Sequence, residues 1–335
     1  MAGDKHTARW RVVGRSVRGA AHERAGMPNQ DAIHWLPESS AGLPLILTVA
    51  DGHGSRRSFR SATGARLAVE TAAQVINDFL LGQTQTENLS ATKRAAEEWL
   101  PVALVRSWLA AVASHLAAHP FSADELSPPA TDGAELSGES SQANSRVAYG
   151  TTLLAVAVTV DFILYLQLGD GEILTVSSDG EVSSPLPKDR RLFANETTSM
   201  CSQDAWRDFR VCFQFVSNTP PPLILLSTDG YPNSFRDEDG FRKVGSDILE
   251  MIRDGGLDMV NDHLEGWLAE STYAGSGDDV TLGLICSEAA LNPAAREAEE
   301  EKSRQSISKS RSERSSSGHE ANGREDAGAP VEHEV

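Results

Sequence analysis

The sequence predicts an α+β fold: a β-sandwich of two antiparallel sheets flanked by helices. Three observations carry this. Eight runs rich in leucine and β-branched residues are bounded by Gly, Asp or Pro. Two of them, TTLLAVAVTV (151–160) and FILYLQLG (162–169), are separated by Asp161 alone. Such a spacer suits a tight hairpin and antiparallel pairing, because a parallel crossover needs about a dozen residues. Finally, the helical segments come in blocks rather than one after each strand, unlike the βαβ alternation of a doubly wound fold.

In chain order, the first strand is WRVVGRSV (10–17), and MPNQDAIHW puts Asp31 at the start of another. LPLILTVA (43–50) ends abruptly in Asp51-Gly52-His53-Gly54. Helical spacing follows in SATGARLAVETAAQVINDFLL (61–81), where Ala65, Ala68, Val69, Ala72, Val75, Ile76 and Phe79 share one face. A second helical region covers 91–118, kinked or divided by Pro101. Residues 121–145, rich in Ser, Pro, Gly and acid, read as a mobile loop between helix and strand. After the hairpin come EILTVSS (172–178), RVCFQFV (210–216) and PLILLST (222–228). Two shorter helices over 246–253 and 257–269 precede a last strand, VTLGLIC (280–286). No internal repeat is present.

The totals bound the function. A chain of 335 residues that is 40% apolar has ample material for a core. The organisation expected is an N-terminal extension (1–9), one domain (10–287) and a disordered charged tail (288–335). From about Leu291 the tail has almost no large apolar residue and cannot offset its ordering entropy. The net charge of −18 falls mostly on the body of the chain. An acidic body argues against binding nucleic acid; it suits capture of metal cations, or simply solubility. Three cysteines without a C-x-x-C spacing argue against a disulfide framework or a zinc site and for a reducing cytoplasm. The start, MAGDKHTARW, has no apolar signal core, and no apolar run is read as approaching a membrane span of about 20 residues. The expectation is a cytoplasmic protein that binds no membrane.

The chemistry lies at the strand ends. Asp51-Gly52 closes one strand, Asp229-Gly230 another and Asp170-Gly171 a third. Asp278 and Asp279 stand just before the last strand, and Asp31 opens the second. A single Asp-Gly is usually a turn. Gathered at one rim, these acids would repel one another unless cations compensate. Hard oxygen donors without clustered His or Cys select Mg²⁺ or Mn²⁺, and two such ions about 4 Å apart can activate water and clamp a phosphoryl group.

In order, NQDA, VADGHG, AYGTTLLAVAV, LQLGDGE, LLSTDGY and GDDVTLGLI resemble the motifs of metal-dependent protein phosphatases of the 2C type, nearest the bacterial branch. The resemblance covers residues 10–287. It implies a phosphoserine/phosphothreonine protein phosphatase that hydrolyses its substrate in line, through a hydroxide bridging two Mn or Mg ions. It implies that Asp51 bridges the two metals, that the Gly52 carbonyl binds one, and that Asp229 and Asp278 hold the first. Asp31 lies near the second, partly through water, and Asp170 joins Asp229 at a third, weaker site. His53 protonates the leaving alkoxide, a role suited to an unperturbed imidazole. Thr151 and Thr152 support the site through hydroxyl hydrogen bonds. The implied partner is a phosphorylated protein of a Ser/Thr kinase system.

The match departs from the family in three places. Gln30 stands where Glu is common, removing one charge near the second metal. Asp279 stands where Asn is usual, and is read as a solvated turn cap. The arginine that grips phosphate is assigned to Arg24, whose other reading is a solvated surface charge; Arg15, Arg18, Arg56 or Arg57 could substitute, and His22 could face the site. The basic stretch SRRSFRS after His53 reads as the start of a helix or as a patch that draws in substrate. Residues 185–210 match a variable flap in which Phe193, Trp206 and Phe209 select substrate or pack over the sandwich. The alternative function is a weak or inactive pseudophosphatase serving as a signalling module. An aspartyl-nucleophile phosphatase is disfavoured because position 53 is His rather than a second Asp.

Overall fold

Every residue of β3 (Leu45–Ala50) is buried. Its Leu45, Leu47 and Val49 lie between the two sheets, whereas Ile46 and Ala50 face helices. A strand covered on both sides has no polar face, which is why it reads as an unbroken apolar run. β4 (Leu153–Val158) repeats the division: Leu154, Val156 and Val158 face inward, and Leu153, Ala155 and Ala157 face the helices.

The computed structural model describes residues 10–83, 88–126, 145–187, 197–216 and 220–291. Most of the expected 121–145 loop, part of the flap and almost all of the charged tail lie outside the described residues. The described residues form two five-stranded antiparallel sheets. One runs β1 (Trp10–Val17), β10 (Val280–Ser287), β9 (Leu223–Ser227), β6 (Glu172–Val176) and β7 (Val182–Ser183). The other runs β2 (Ala32–Leu36), β3, β4, β5 (Phe162–Leu168) and β8 (Arg210–Phe215). The two-residue β7 is the one strand with no counterpart in the sequence reading.

The core lies in three layers. Trp10, Leu47, Val156, Tyr165, Leu226 and Ile285 fill the space between the sheets. Helices α2 (Ser61–Gln83), α3 (Leu89–Glu98) and α4 (Leu100–Ala118) cover the outside of the β3 sheet. Helix α5 (Glu238–Ala274) covers the β10 sheet. Each large apolar side chain fully buried here contributes about 1.5–3 kcal/mol, so the helical layers matter as much as the sandwich.

Pro101 does divide the second helical region: it sits in the first turn of α4, where a missing N–H costs nothing. Leu100, Leu104, Trp108 and Val112 form the buried face of α4, and the Trp108 indole donates to the Gly64 carbonyl at 3.0 Å. At 19 residues and a mean hydropathy of 1.4, α4 is the one helix among the described residues long and apolar enough to cross a bilayer. This corrects the reading that no stretch approaches that length. The stretch α5 is two helices that meet at a break, as the readings over 246–253 and 257–269 expected. It begins earlier because Asp237 caps it, accepting from Gly240 N at 2.9 Å. The kink falls at Gly256, whose φ of 84° is open to glycine. A short helix, α1 (Ala20–Ala25), lies between β1 and Asp31.

Candidate functional site

Antiparallel register brings the acidic strand ends together. Ala32 pairs with Ala50, so Asp31 and Asp51 leave their strands at the same end. Gly52 bridges to Thr151, and Leu153 pairs with Leu168, which carries the Asp170 turn to that end too. In the other sheet Leu282 pairs with Ser227, and Thr228 N donates to Thr281 O at 3.2 Å, bringing Asp229 to Asp278 and Asp279.

The turn after β3 is held from several sides. Thr151 Oγ1 donates to the Asp51 carbonyl at 2.8 Å, and Thr152 Oγ1 accepts from Asp51 N at 3.0 Å, the support expected of these threonines. Gly52 N donates to the Gln30 carbonyl at 3.1 Å. A Cβ at position 52 would lie 2.6 Å from that oxygen and 2.8 Å from the Ser61 backbone, so only glycine fits.

Three carboxyls are pushed out of their usual range. Asp31 is buried, and burial raises its pKa well above the ordinary carboxylate value. Hydrogen bonds to its Oδ2 from Thr228 Oγ1 (2.7 Å) and Thr281 Oγ1 (2.8 Å) oppose the shift. The charges of Asp279 and Asp229 add to it. Asp51 is raised by burial, then by Asp31, Asp229 and Asp278. Asp229 is raised by burial, and by Asp170 and Asp278, although a hydrogen bond with Asp51 opposes this. Asp278 is more exposed; its Oδ1 accepts from Asp279 N at 2.8 Å. Asp170 is exposed at the border, where its charge reaches Asp229 and His53.

Asp31, Asp51, Asp229 and Asp278 thus meet in one cluster with Asp170 beside it. The donor set is all oxygen, which suits Mg²⁺ or Mn²⁺. Gln30 lies against the same turn, its Oε1 buried near Gly54 and without a hydrogen-bond partner among the described residues. Mutual repulsion among buried carboxylates is what a divalent cation relieves. Asp31, Asp51, Asp170, Asp229 and Asp278 are groups able to hold such ions, and His22, Asp278 and Asp279, whose ligand atoms lie within 4.8 Å of one another, form a second such group.

His53 departs from expectation. Burial lowers its pKa below the ordinary imidazole value, with Asp170 opposing, so the ring is not unperturbed. Its backbone N donates to Gly150 O at 3.0 Å, and its Nε2 lies 2.7 Å from Ser199 Oγ. Asp279 also departs: it is buried rather than solvated. It accepts from Gly19 N (2.6 Å) and Gln30 N (2.7 Å), both from the other end of the chain, and contacts His22 Nδ1 (2.8 Å). His22 Nε2 lies 3.8 Å from Asp278 Oδ1. The only sequence signal for this pairing was an Asp where the family usually has Asn. Ser199 gave no signal, because it arrives at His53 from a distant segment.

Arg24 is exposed on α1 and has no ion pair or hydrogen bond among the described residues. Its guanidinium lies beside Gly277, 4.0 Å from where a Cβ there would sit and one residue from Asp278. Arg15 donates to Gly14 O at 2.8 Å and Arg18 lies 3.7 Å from Glu23. Arg56 and Arg57 stand exposed in a 3-10 turn (Arg56–Ser58) that leads into α2. In the flap, Phe193 lies outside the described residues. Trp206 is exposed beneath the Arg207 guanidinium (4.9 Å), and Phe209 packs against the helix-side core.

Comparison with known proteins bears on this geometry. Residues 18–269 match the model of the family described as protein phosphatase 2C. No curated protein sequence matches the chain. Among solved structures, PppA, described as a key regulatory component of T6SS in Pseudomonas aeruginosa, is 16% identical. The likeness covers 83% of this chain and 97% of that one with a TM-score of 0.51, which is a likeness of fold. The serine/threonine phosphatase Stp1 from Staphylococcus aureus is 16% identical over 82% of this chain and 94% of its own, with a TM-score of 0.47. The catalytic domain of the serine/threonine phosphatase PstP, in complex with two manganese ions, is 20% identical over 84% and 99%, with a TM-score of 0.47.

Proposed function

The chain belongs to the protein phosphatase 2C family, and from that premise we propose that it hydrolyses phosphoserine and phosphothreonine in proteins with the help of two Mn²⁺ or Mg²⁺ ions. The observation that supports this most directly is the cluster of Asp31, Asp51, Asp229 and Asp278, in which burial first, and the charges of neighbouring carboxylates second, raise the pKa of Asp31, Asp51 and Asp229. When bound, the cations supply Lewis acidity to the attacking water and positive charge against the phosphoryl oxygens.

The chain's own residues do the rest. Asp51, Asp229 and Asp278 would hold the cations, with the Gly52 carbonyl, Asp31 and Asp170 completing the donor set. Thr151 and Thr152 fix the Asp51 backbone from both of its polar atoms. Asp31 is aimed by two threonine hydroxyls. Arg24, free beside Gly277, grips the phosphate. His53 gives a proton to the serine or threonine oxygen as it leaves. The substrate is a phosphorylated protein of a Ser/Thr kinase system. Three free thiols, Cys201, Cys212 and Cys286, support a cytoplasmic setting. The reading as an inactive binding module has no specific observation in its favour.

The test is hydrolysis of a phosphoserine peptide titrated with Mn²⁺ and Mg²⁺, for wild type, Asp51→Ala and Asp229→Ala. Wild type should show saturable metal-dependent turnover, and each variant should lose at least about a hundredfold. A wild type inert in both metals would point to the binding module.

A further inference from the structure

We infer that Ser199 is the positioning residue for His53: its hydroxyl decides which imidazole nitrogen keeps its hydrogen and which is left to serve the leaving oxygen. The inference rests on the reading of His53 as the proton donor.

Ser199 is buried, and its Oγ lies 2.7 Å from His53 Nε2 and 3.2 Å from the Thr151 carbonyl. Cys201 Sγ lies at 3.2 Å, and Cys201 N donates to the same oxygen at 3.4 Å. A hydroxyl has one hydrogen. A carbonyl only accepts, so the Oγ hydrogen is directed to Thr151 O, and the imidazole contact is then made by Nε2–H donating to Oγ. No other assignment satisfies both contacts at once.

The consequence is chemical. Nε2 donates to Ser199 whether the ring is neutral or charged, so this bond survives the reaction unchanged. The transferable proton therefore sits on Nδ1. As the P–O bond breaks, its electron pair stays on the leaving oxygen, which takes the Nδ1 proton, and His53 is left as the neutral Nε2–H tautomer. A ring able to flip would present the wrong nitrogen for part of the time.

The surroundings hold the arrangement. A Cβ at Gly150 would lie 2.6 Å from His53 Cδ2, so the ring lies close against that backbone. Met200, next to Ser199, is buried in the core and its N donates to Thr151 O at 2.9 Å. Thr198 Oγ1 accepts from Gly169 N at 2.9 Å, tying the segment to the Asp170 turn. Thr151 also holds the Asp51 carbonyl. The acid and the central carboxylate therefore share one backbone frame.

Two measurements on the full chain test this. Histidine ¹⁵N NMR of the Mg²⁺-loaded protein should show His53 as the Nε2–H tautomer in wild type and a mixture in Ser199→Ala. An Nδ1–H tautomer in wild type overturns the assignment without reference to activity. In the Mn²⁺-loaded enzyme, Ser199→Ala should lower kcat on a phosphoserine peptide about tenfold, a fraction of the roughly 10²–10⁴-fold that general acid catalysis supplies. KM and the metal dissociation constant should stay put, and an aryl phosphate, whose leaving group needs little protonation, should lose distinctly less. Ser199→Thr should restore the peptide rate. Equal losses on both substrates, or no rescue, overturn the proposal. His53→Ala separates the two ideas: if it shows the leaving-group selectivity and Ser199→Ala does not, the positioning role alone fails. If His53→Ala shows none, its role as acid fails and takes the catalytic part of this inference with it.

Discussion

The carboxyl of Asp51 lies within hydrogen-bonding reach of the carboxyl of Asp229, although the two close strands in different sheets. Two carboxylates cannot share such a space in the ionised form without a proton or a cation between them. Without metal, protons do this work. With metal, they must leave.

Proton release on metal binding follows. Asp31, Asp51 and Asp229 all have folded-state pKa values raised above the unfolded carboxylate value. A raised carboxyl stabilises the fold most below the unfolded pKa, and the benefit is lost as pH rises through the folded pKa. Metal-free protein should therefore become less stable as pH increases from about 4 into the neutral range. Added Mn²⁺ should restore the melting temperature. Titration calorimetry in buffers of different ionisation enthalpy should register protons leaving as metal enters. A metal-free melting temperature that climbs steadily over this range would contradict the cluster as described.

Asp51→Asn should separate stability from function. Replacing a carboxyl that the metal-free fold must keep protonated removes that cost near neutral pH, and a gain of about 1 kcal/mol corresponds to roughly 2–4 °C in a domain of this size. The same change removes the carboxylate on which metal binding is proposed to depend. Scanning calorimetry should thus show a higher melting temperature than wild type without metal, little further rise with Mn²⁺, and no phosphopeptide turnover.

The buried hydroxyls that aim Asp31 offer a sharper probe. Thr228 Oγ1 donates to Asp31 Oδ2 and also accepts from Thr281 N at 3.0 Å. Thr228→Val keeps the shape and removes both bonds. Hydrogen bonds to charged groups are worth about 1.5–3 kcal/mol, so the loss should approach that in urea unfolding of the metal-loaded protein. The metal affinity should weaken as well, because Asp31 keeps only the Thr281 hydroxyl to aim it.

The strands at the rim were legible from sequence because both faces of β3, β4, β5 and β10 are covered, which leaves continuous apolar runs with abrupt acidic ends. The acidic set was legible because each member follows or precedes such a run. Other features have no local signature. Helix α1 has too few turns for a periodic pattern, and its AAHERA stretch buries only Ala20. β7 has two residues, neither of them buried. The burial of Asp279 depends on Gly19, His22 and Gln30 folding over it from the other end of the chain. Likewise His53 owes its lowered pKa to packing by residues distant in sequence, which no reading of DGHG could contain.

Asp279→Ala tests that overlay. The side chain serves two backbone N–H groups and one imidazole, all of which would be left without a partner in a buried site. Each unsatisfied buried donor costs about 1–3 kcal/mol. The variant should lose several kcal/mol in urea unfolding, and amide exchange should speed up at Gly19 and Gln30 first. Asp279→Asn keeps an acceptor oxygen and should lose much less.

A separate pH effect belongs to His115, away from the acidic rim. Arg60 Nη1 donates to Tyr149 OH at 2.8 Å, so the phenol hydrogen is free to donate to His115 Nδ1 at 2.9 Å. That bond needs the neutral ring. Partial burial lowers the His115 pKa, and the nearby charges of His119, Arg60 and Arg66 lower it further. For an imidazole with a depressed folded pKa, the stability it confers is full above the unfolded value of about 6.5 and is lost as pH falls through the folded value. The sign is opposite to that of the carboxylates, so the two must be separated by substitution. Gln in place of His115 offers an acceptor that does not titrate. Between pH 7.5 and 5.5, at constant metal, the urea midpoint of His115→Gln should fall less than that of wild type. Parallel curves would mean that Tyr149 finds another acceptor when the ring is charged.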